Sequence, residues 1–263
     1  MILSKKYNTS LLRFVLFLTI TGGFTACGPE ILRNTSIEGK KIPITSDYAT
    51  TQSIDSFVKP YREHIDRDLD SVLAYSPETL DKSKSIGGWQ TTIGNLMADV
   101  TLEKADKVFM AREHRHIDVC LLNHGGIRSI IAKGNVTART AFEIMPFENS
   151  LIVIALKGEQ MVEIANYIAK EKKPHPLAGM EIHLSKEGTV IALAVQGKPV
   201  EAGKIYNVAT SDYLANGGDS MDFFKKGVKS YDLDYKLRNL FIDYFKETDT
   251  IPVIKTQRII QDK

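Results

Sequence analysis

The stretch that decides the fold begins with IDVCLLN and continues as HGGIRS, together residues 117–129. Its apolar run, Val119 to Leu122, is too short for an independent helix and is bounded by polar and glycine residues, so it predicts a buried strand. Gly125 and Gly126 allow the backbone to turn tightly and to approach a ligand without an intervening Cβ atom. The pattern predicts a ligand-holding loop at a strand end, with Arg128 within one turn of it.

The same stretch ends with NVTARTAFEIMPFENSLIVIALKG at residues 135–158. Arg139 to Met145 fits a short helix, and Pro146 is expected to end it because proline disfavours helical backbone in the residue before it. Leu151 to Leu156 is a second apolar run and predicts another buried strand. Phe147 would then stand just before that strand, where binding residues tend to gather.

Further segments predict the elements around this centre. Apolar residues recur at helical spacing from Ile54 to Val72, which predicts an amphipathic helix of about five turns and the first packed element of the domain. Helices are also predicted around residues 96–102, 159–169 and 237–245. Strands of one mixed sheet are predicted at 181–184, 190–195 and 205–209, with a hairpin turn at Gln196 and Gly197. The predicted fold class is α+β, with a mixed β-sheet flanked by helices.

Four ordered blocks carry a family resemblance: IGNLMADV (93–100), NHGGIRS (123–129), MPFENSLIVIALKG (145–158) and YNVATSDYLANGGDSMDFF (206–224). In order and spacing they resemble the C-terminal, substrate-binding domain of 5′-nucleotidases and UDP-sugar hydrolases. The resemblance covers roughly residues 50 to 260, which is the size of one domain. Four ordered blocks are far more specific than a single glycine-rich loop.

The N-terminus has the pattern of an export signal. Basic residues precede and flank an apolar core that ends in Phe24-Thr25-Ala26-Cys27, and a small residue before a cysteine resembles a bacterial lipobox. We expect residues 1–26 to be a lipoprotein signal peptide, 27–49 a tether and 50–263 the domain. Acylated Cys27 would make the protein an exported, membrane-anchored lipoprotein, periplasmic or on the cell surface. The alternative is a plain hydrophobic anchor.

Charge and cysteine content narrow the class of protein. Loss of residues 1–26 removes three basic residues and no acidic one, so the formal charge changes from +2 to −1. No basic stripe remains to suggest nucleic acid as a partner. The chain has two cysteines, and if Cys27 is lipidated then Cys120 has no partner for a disulfide. Cys120 lies in the apolar run, so we expect a small buried hydrophobic residue rather than an activated thiol.

The residue types at the strand ends suit a nucleotide. An asparagine matches the donors and acceptors of a base edge, an arginine supplies a forked cation for phosphate, and a carboxylate accepts from a pair of ribose hydroxyls. Phe147 and Tyr213 could hold a base between them, since stacking on aromatic rings tolerates any base. Taken singly, the same residues would more often be core aromatics, turn residues or strand terminators.

The resemblance implies the same roles. It places Asn123 on the base, Arg128 towards phosphate and ribose, and Asp219 on the ribose hydroxyls, with Phe147 and Tyr213 as an aromatic clamp. The predicted binding residues are Asn123, Gly125, Gly126, Arg128, Phe147, Tyr213, Gly217, Gly218 and Asp219. Three positions depart from the family pattern: Tyr213 replaces a more usual phenylalanine, His124 a common glycine, and Trp89 an arginine, which puts one phosphate contact in doubt.

Catalytic metal ligands are not evident in the sequence. In the resembled enzymes a separate N-terminal domain cleaves phosphate with two metals, and a two-metal site needs a dense set of carboxylate and imidazole ligands. The six histidines here are scattered, and the close pair His114 and His116 is typical of a solvated loop. We therefore expect no cofactor and no catalytic residue in this chain, with divalent metals confined to a partner.

Two functions from different classes remain. The first is the nucleotide-binding half of a split 5′-nucleotidase that presents nucleoside phosphates or nucleotide sugars to a separately made metallophosphoesterase. The second is a non-catalytic nucleotide-binding or nucleoside-binding lipoprotein for scavenging or recognition. Hydrolysis by this domain alone ranks last because metal ligands are lacking.

Overall fold

The computed structural model of the protein describes residues 9–23, 34–45 and 48–262. The chain divides into two compact units, Met1–Gln52 and Ser53–Lys263. Within the described residues of the first unit, helix α1 spans Thr9–Gly23. Among the described residues, no helix combines the length and the apolar composition that a membrane span requires. Cys27, the predicted lipidation site, lies outside the described residues.

Six more α-helices and eleven strands follow in the described chain. The helices are α2 (Gln52–Leu69), α3 (Thr92–Glu113), α4 (Ala138–Ile144), α5 (Gly158–Glu171), α6 (Asp212–Ala215) and α7 (Leu237–Glu247). The first strands are β1 (Val72–Ser76), β2 (Val119–Leu121), β3 (Gly134–Thr137), β4 (Ser150–Lys157), β5 (Leu177–Ala178) and β6 (Met180–Leu184). The others are β7 (Val190–Val195), β8 (Lys198–Pro199), β9 (Ile205–Ser211), β10 (Lys229–Lys236) and β11 (Ile259–Gln261).

A five-stranded mixed sheet lies at the centre, in the order β10-β4-β9-β2-β5. Strand β9 pairs antiparallel with β4 and parallel with β2. The end of β9 therefore lies beside the start of β4, since Ser211 pairs with Leu151, and at the same edge as the end of β2. Three loops consequently meet at one edge of the sheet: the loop after β2, the loop before β4 and the loop after β9. The predicted mixed sheet flanked by helices is confirmed.

Helices cover both faces of this sheet. Side chains alternate between the two faces along a strand, and in β2 Cys120 faces one core while Val119 and Leu121 face the other. Residues of α3 and α7 belong to the first core, and residues of α5 to the second. Because both faces are covered, β2 and β4 are continuous apolar runs rather than alternating patterns.

The prediction of a single sheet is wrong for two segments. Strands β6 and β7 belong to a separate four-stranded sheet in the order β11-β6-β7-β8. The predicted turn at Gln196 and Gly197 is confirmed, because it joins β7 to β8 in an antiparallel hairpin. A local apolar pattern predicts that a strand exists, but it does not predict which strand will pair with it. Strand β6 pairs with β11, a parallel strand that lies far along the chain. A third, two-stranded sheet pairs β1 with β3.

The structure contradicts the predicted role of helix α2 as the first packed element of the domain. The helix has no buried residue, and Phe57 and Tyr61 are 70% and 63% exposed. It is held near its C-terminal end by Arg139, whose guanidinium contacts Asp66 over 2.7 Å and Asp70 over 2.6 Å. Helical periodicity predicts an apolar stripe, but it does not determine whether the stripe is covered.

Candidate functional site

A cavity of about 930 Å³ opens where the three loops meet at the edge of the central sheet. Its volume falls in the range of about 300 to 1,000 Å³ usual for small-molecule sites. All nine binding residues predicted from the sequence line it: Asn123, Gly125, Gly126, Arg128, Phe147, Tyr213, Gly217, Gly218 and Asp219. The fold thus gathers these separate segments around one opening, although their role in binding stays a prediction.

Asp219 is held in the cavity by hydrogen bonds to its side chain and to its backbone. Its backbone is left-handed, at φ 53° and ψ 26°, in the loop that Gly217 opens at φ 85°. One carboxylate oxygen, Oδ2, accepts a hydrogen bond from the Asn123 amide over 2.8 Å. The Asp219 carbonyl accepts from the Tyr167 hydroxyl over 2.7 Å. An unfavourable backbone conformation held by several contacts is typical of functional loops.

Tyr213 contacts the same carboxylate. Its hydroxyl donates to Asp219 Oδ1 over 2.9 Å and accepts from the Asp219 backbone N–H over 3.2 Å. The ring lies so close to Gly218 that a Cβ atom there would come within 2.5 Å of it. Gly218 is therefore required by the position of the ring.

The aromatic residues of the cavity are not core residues. Phe147 is 45% exposed and Tyr213 is 48% exposed, whereas a packed core aromatic is almost wholly buried. The Arg128 guanidinium lies 5.9 Å from the centre of the Phe147 ring, within the range of a cation–π contact. Two exposed rings and an exposed cation at one opening suit a flat, anionic ligand.

A buried histidine, His175, contacts the loop that contains Gly125 and Gly126, called here the glycine loop. His175 is 2% exposed, and its Nδ1 accepts a hydrogen bond from the His124 backbone N–H over 3.2 Å. Burial lowers the pKa of His175 to about 4, so the ring is neutral at physiological pH. Its Nε2 has no hydrogen-bond partner in the described part of the chain. The Tyr167 ring lies 5.6 Å from the His175 ring, so one layer contacts both the glycine loop and Asp219.

The model of the family described as 5′-nucleotidase, C-terminal domain, matches residues 76–226. The chain belongs to this family. Its fold also resembles that of a 5′-nucleotidase precursor from Thermus thermophilus, with a TM-score of 0.65 and 23% identity over 80% of this chain and 42% of that one.

Two relatives of this chain are longer proteins. The protein UshA from Escherichia coli is 21% identical over 186 residues, 69% of this chain and 32% of UshA. A 5′-nucleotidase from Vibrio vulnificus is 24% identical over 197 residues, 72% of this chain and 34% of the relative. This chain therefore spans about a third of the length of each.

Trp89 does not line the cavity. The side chain is 7% exposed and packs in the core beneath α5 and β6. Its indole N–H donates to Gln261 Oε1 over 3.2 Å. This position therefore presents an apolar ring to the core and no cation to a ligand.

Some residues of the site were missed by sequence reasoning. Asn149 and Asp212 line the cavity, and the Asn149 amide donates to Asp212 Oδ1 over 3.0 Å. The same oxygen accepts from the Tyr213 backbone N–H over 2.8 Å, which fixes the start of α6. A usable signal was present, since Ser211 and Asp212 are typical residues for a helix start and Ser211 does cap α6.

The environment of Cys120 tests its predicted role. Cys120 is fully buried, and burial raises the pKa of its thiol far above the ordinary value, so the predicted hydrophobic role is confirmed. In the part of the chain that the structure describes, no three His, Cys, Asp or Glu side chains are grouped so that they could hold a metal ion.

Proposed function

We propose that this chain binds nucleotides as the substrate-binding half of a two-protein 5′-nucleotidase. The other half would be a metallophosphoesterase made as a separate chain. One observation carries the proposal: an amide, a carboxylate, an arginine and two exposed aromatic rings surround a single cavity in a 5′-nucleotidase C-terminal domain. These are the groups that a base, a ribose and a phosphate require.

The base would lie between Phe147 and Tyr213, with its edge towards the Asn123 amide. Stacking of this kind contributes on the order of 1 to 3 kcal/mol per base. The ribose hydroxyls would donate to the Asp219 carboxylate, which already accepts from Asn123 and Tyr213 in the free protein. Binding therefore exchanges internal hydrogen bonds for ligand bonds, and the net gain from each exchange is small.

Hydrolysis is assigned to the partner. Cleavage by two metals needs carboxylates and imidazoles that clamp both the attacking and the leaving oxygen. The described residues offer no such group of ligands, whereas the curated relatives have about two thirds of their length outside the matched region. We assign the metals to a chain that supplies the missing part.

Calorimetry with adenosine and adenosine monophosphate (AMP) tests the binding half of the proposal. A chain without its first 39 residues should bind both ligands. No heat with any nucleoside or nucleotide would overturn the proposal. Binding without phosphate release, whichever exported metallophosphoesterase of the same genome is added, would favour a non-catalytic nucleotide-binding lipoprotein.

Reconstitution tests the catalytic half. The isolated chain should release no phosphate from AMP with Mn²⁺, Mg²⁺, Zn²⁺ or Co²⁺, and the cognate metallophosphoesterase should restore release. Asp219→Ala should then raise KM more than it lowers kcat, because it removes a positioning contact and leaves the metals intact. Metal-dependent activity that persists in a partner-free preparation of this chain would contradict the assignment.

Membrane anchoring is part of the proposal. Acylation of Cys27 would tether the chain, and two proteins on one membrane meet at a raised effective concentration. Wild type should incorporate radiolabelled fatty acid and Cys27→Ser should not. Equal incorporation by the two proteins would disprove the anchor.

A further inference from the structure

The loop that carries Phe147 is exposed where it borders the cavity. Residues 146–149, called here the Phe147 loop, lie between α4 and β4, and Pro146, Phe147 and Glu148 are all exposed. The Phe147 ring contacts the Arg128 guanidinium, but it is too exposed for core packing to fix its position. The position of the ring therefore depends on how the chain on either side of it is held.

A guanidinium contacts the residue on each side of Phe147. Arg238, in the first turn of α7, donates to the Pro146 carbonyl over 3.2 Å and forms an ion pair with the Glu148 carboxylate. The central carbon of the same guanidinium lies 4.1 Å from the centre of the Phe142 ring on α4, within the range of a cation–π contact. Arg238 thus joins α4 to both flanks of Phe147.

The end of β10 and the start of α7 hold the rest of the loop. The Lys236 ammonium donates to the Glu148 carbonyl over 3.1 Å and to the Ser150 hydroxyl over 2.8 Å. The Leu237 backbone N–H donates to the Asn149 carbonyl over 3.0 Å. The Phe147 loop is consequently anchored at several points by one short segment of distant sequence.

Stability alone does not account for a guanidinium at this position. Arg238 is buried, and its Nε has no hydrogen-bond partner among the described residues. Taking a charge out of water costs free energy that an ion pair often does no more than offset. An unpartnered buried N–H adds to that cost. What the guanidinium does provide is geometry, because its planar fork fixes two partners relative to each other.

We propose that Arg238 is a positioning residue for base stacking, and that it holds the Phe147 ring at the edge of the cavity before a base binds. The inference rests on the proposed function, since it requires that Phe147 stacks on a base. A ring that is already in place loses less conformational freedom on binding, so affinity rises without a new contact to the ligand. Arg238 does not line the cavity, so its effect reaches the ligand through the loop.

Two substitutions test the proposal in the full chain, purified in detergent. Arg238→Met removes the fork and keeps an apolar stem beside Phe142. Glu148→Gln removes the charge on the exposed side of the ion pair, where substitutions are usually well tolerated. Glu247→Gln is the matched control, because exposed Glu247 pairs with the nearly buried Lys104 and neither residue lines the cavity. Calorimetry with adenosine measures affinity, and thermal unfolding shows whether each variant folds.

Arg238→Met should weaken adenosine binding about fivefold and Glu148→Gln about threefold, both less than the roughly tenfold loss expected without the ring. Glu247→Gln should bind adenosine as wild type does. A double-mutant cycle with Phe147→Ala then separates positioning from a general effect on the fold. If Arg238 acts through the ring, Arg238→Met should change affinity by less than about twofold once the ring is absent.

Two results would overturn the inference while leaving the proposed function intact. One is an equal loss of affinity on Arg238→Met in wild type and in Phe147→Ala, which would mean a purely structural role. The other is wild-type affinity for adenosine in folded Arg238→Met or, if that variant does not fold, in Glu148→Gln. If wild type bound neither adenosine nor AMP, the proposed function itself would fail, and this inference with it.

Discussion

The Tyr213 hydroxyl donates a hydrogen bond to Asp219 Oδ1 over 2.9 Å and accepts one from the Asp219 backbone N–H over 3.2 Å. In the free protein, the carboxylate proposed to accept the ribose hydroxyls is therefore already engaged by the aromatic clamp. A phenylalanine at this position would provide the ring without the hydroxyl. The tyrosine thus couples the stacking residue to the sugar-binding residue.

Tyr213→Phe should tighten adenosine binding about threefold. The ring is kept, and the ligand no longer displaces a hydrogen bond whose net contribution is about 0.5 to 1.5 kcal/mol. Calorimetry measures the effect, and 2′,3′-dideoxyadenosine is the control ligand because it lacks the hydroxyls that would use Asp219. An equal gain for the dideoxy ligand would show that the hydroxyl does not compete with ribose.

Phe147→Ala should weaken adenosine binding about tenfold, at the low end of a lost stacking contact. The matched control is Phe57→Ala, since Phe57 is an exposed phenylalanine on α2 that does not line the cavity. Calorimetry should show unchanged affinity for this control. Unchanged affinity in Phe147→Ala would remove Phe147 from the clamp.

Gly218→Ala should weaken binding about tenfold or more, because the new Cβ atom would come within 2.5 Å of the Tyr213 ring and displace it. Gly203→Ala should have no effect, since no atom lies within 4 Å of a Cβ at that position. Titration of both variants with adenosine checks the prediction. Wild-type affinity in Gly218→Ala would mean that the ring can move without consequence.

Stability should fall as the pH falls from about 6.5 to about 4, in part because of His175. The folded pKa is lowered by burial to about 4 from 6.5, so in this window the unfolded chain binds the extra proton. Neutral His175 therefore contributes up to about 3 kcal/mol to the free energy of unfolding above pH 6.5. This stabilisation is lost as the pH falls to about 4.

Urea unfolding at about pH 7 and pH 4.5 measures this effect. His175→Asn keeps an acceptor near Nδ1 but does not titrate, so it should lose less stability than wild type over the same interval. His64→Asn should behave as wild type, because the His64 side chain is 66% exposed. Equal pH dependence in all three proteins would show that His175 is protonated without cost.

Two phenylalanines should differ sharply in their contribution to stability. Phe57 is 70% exposed on α2, so Phe57→Ala should change the free energy of unfolding by no more than about 0.5 kcal/mol. Phe109 is fully buried on α3, so Phe109→Ala should cost about 3 to 5 kcal/mol. Chemical denaturation of both variants is the measurement, and a large loss for Phe57→Ala would mean that its helix packs in solution.

Much of the site could be predicted from the sequence because its signals are local. The apolar runs of β2 and β4 place Asn123 and Phe147 at strand ends, and the adjacent glycines mark the loops. That these ends meet at one edge depends on β9, whose parallel pairing with β2 no local pattern encodes.

The rest could not be predicted because it depends on contacts between distant residues. The Lys82 ammonium donates to the carbonyl of Ile127, which is 45 positions away in the chain. The two residues lie close together because Leu80 pairs with Ile131. The layer formed by His175 and Tyr167 is likewise assembled by the fold, and each residue alone resembles an ordinary helix or loop residue. Strand β10 is not predicted from the sequence, because its residues, KSYDLDYK, are mostly polar. Polar residues are usual in a strand at the edge of a sheet.

Because Cys120 is buried at the centre of the sheet, its reaction with a thiol reagent can measure how often the sheet opens. In a Cys27→Ser protein this thiol is the only one in the chain, and it is fully enclosed between β5 and β9. A thiol-specific reagent can modify it only when the sheet opens, so the modification rate at high reagent concentration reports the opening rate. If AMP binds the folded domain alone, it should slow this modification in proportion to its occupancy, which gives an affinity without calorimetry.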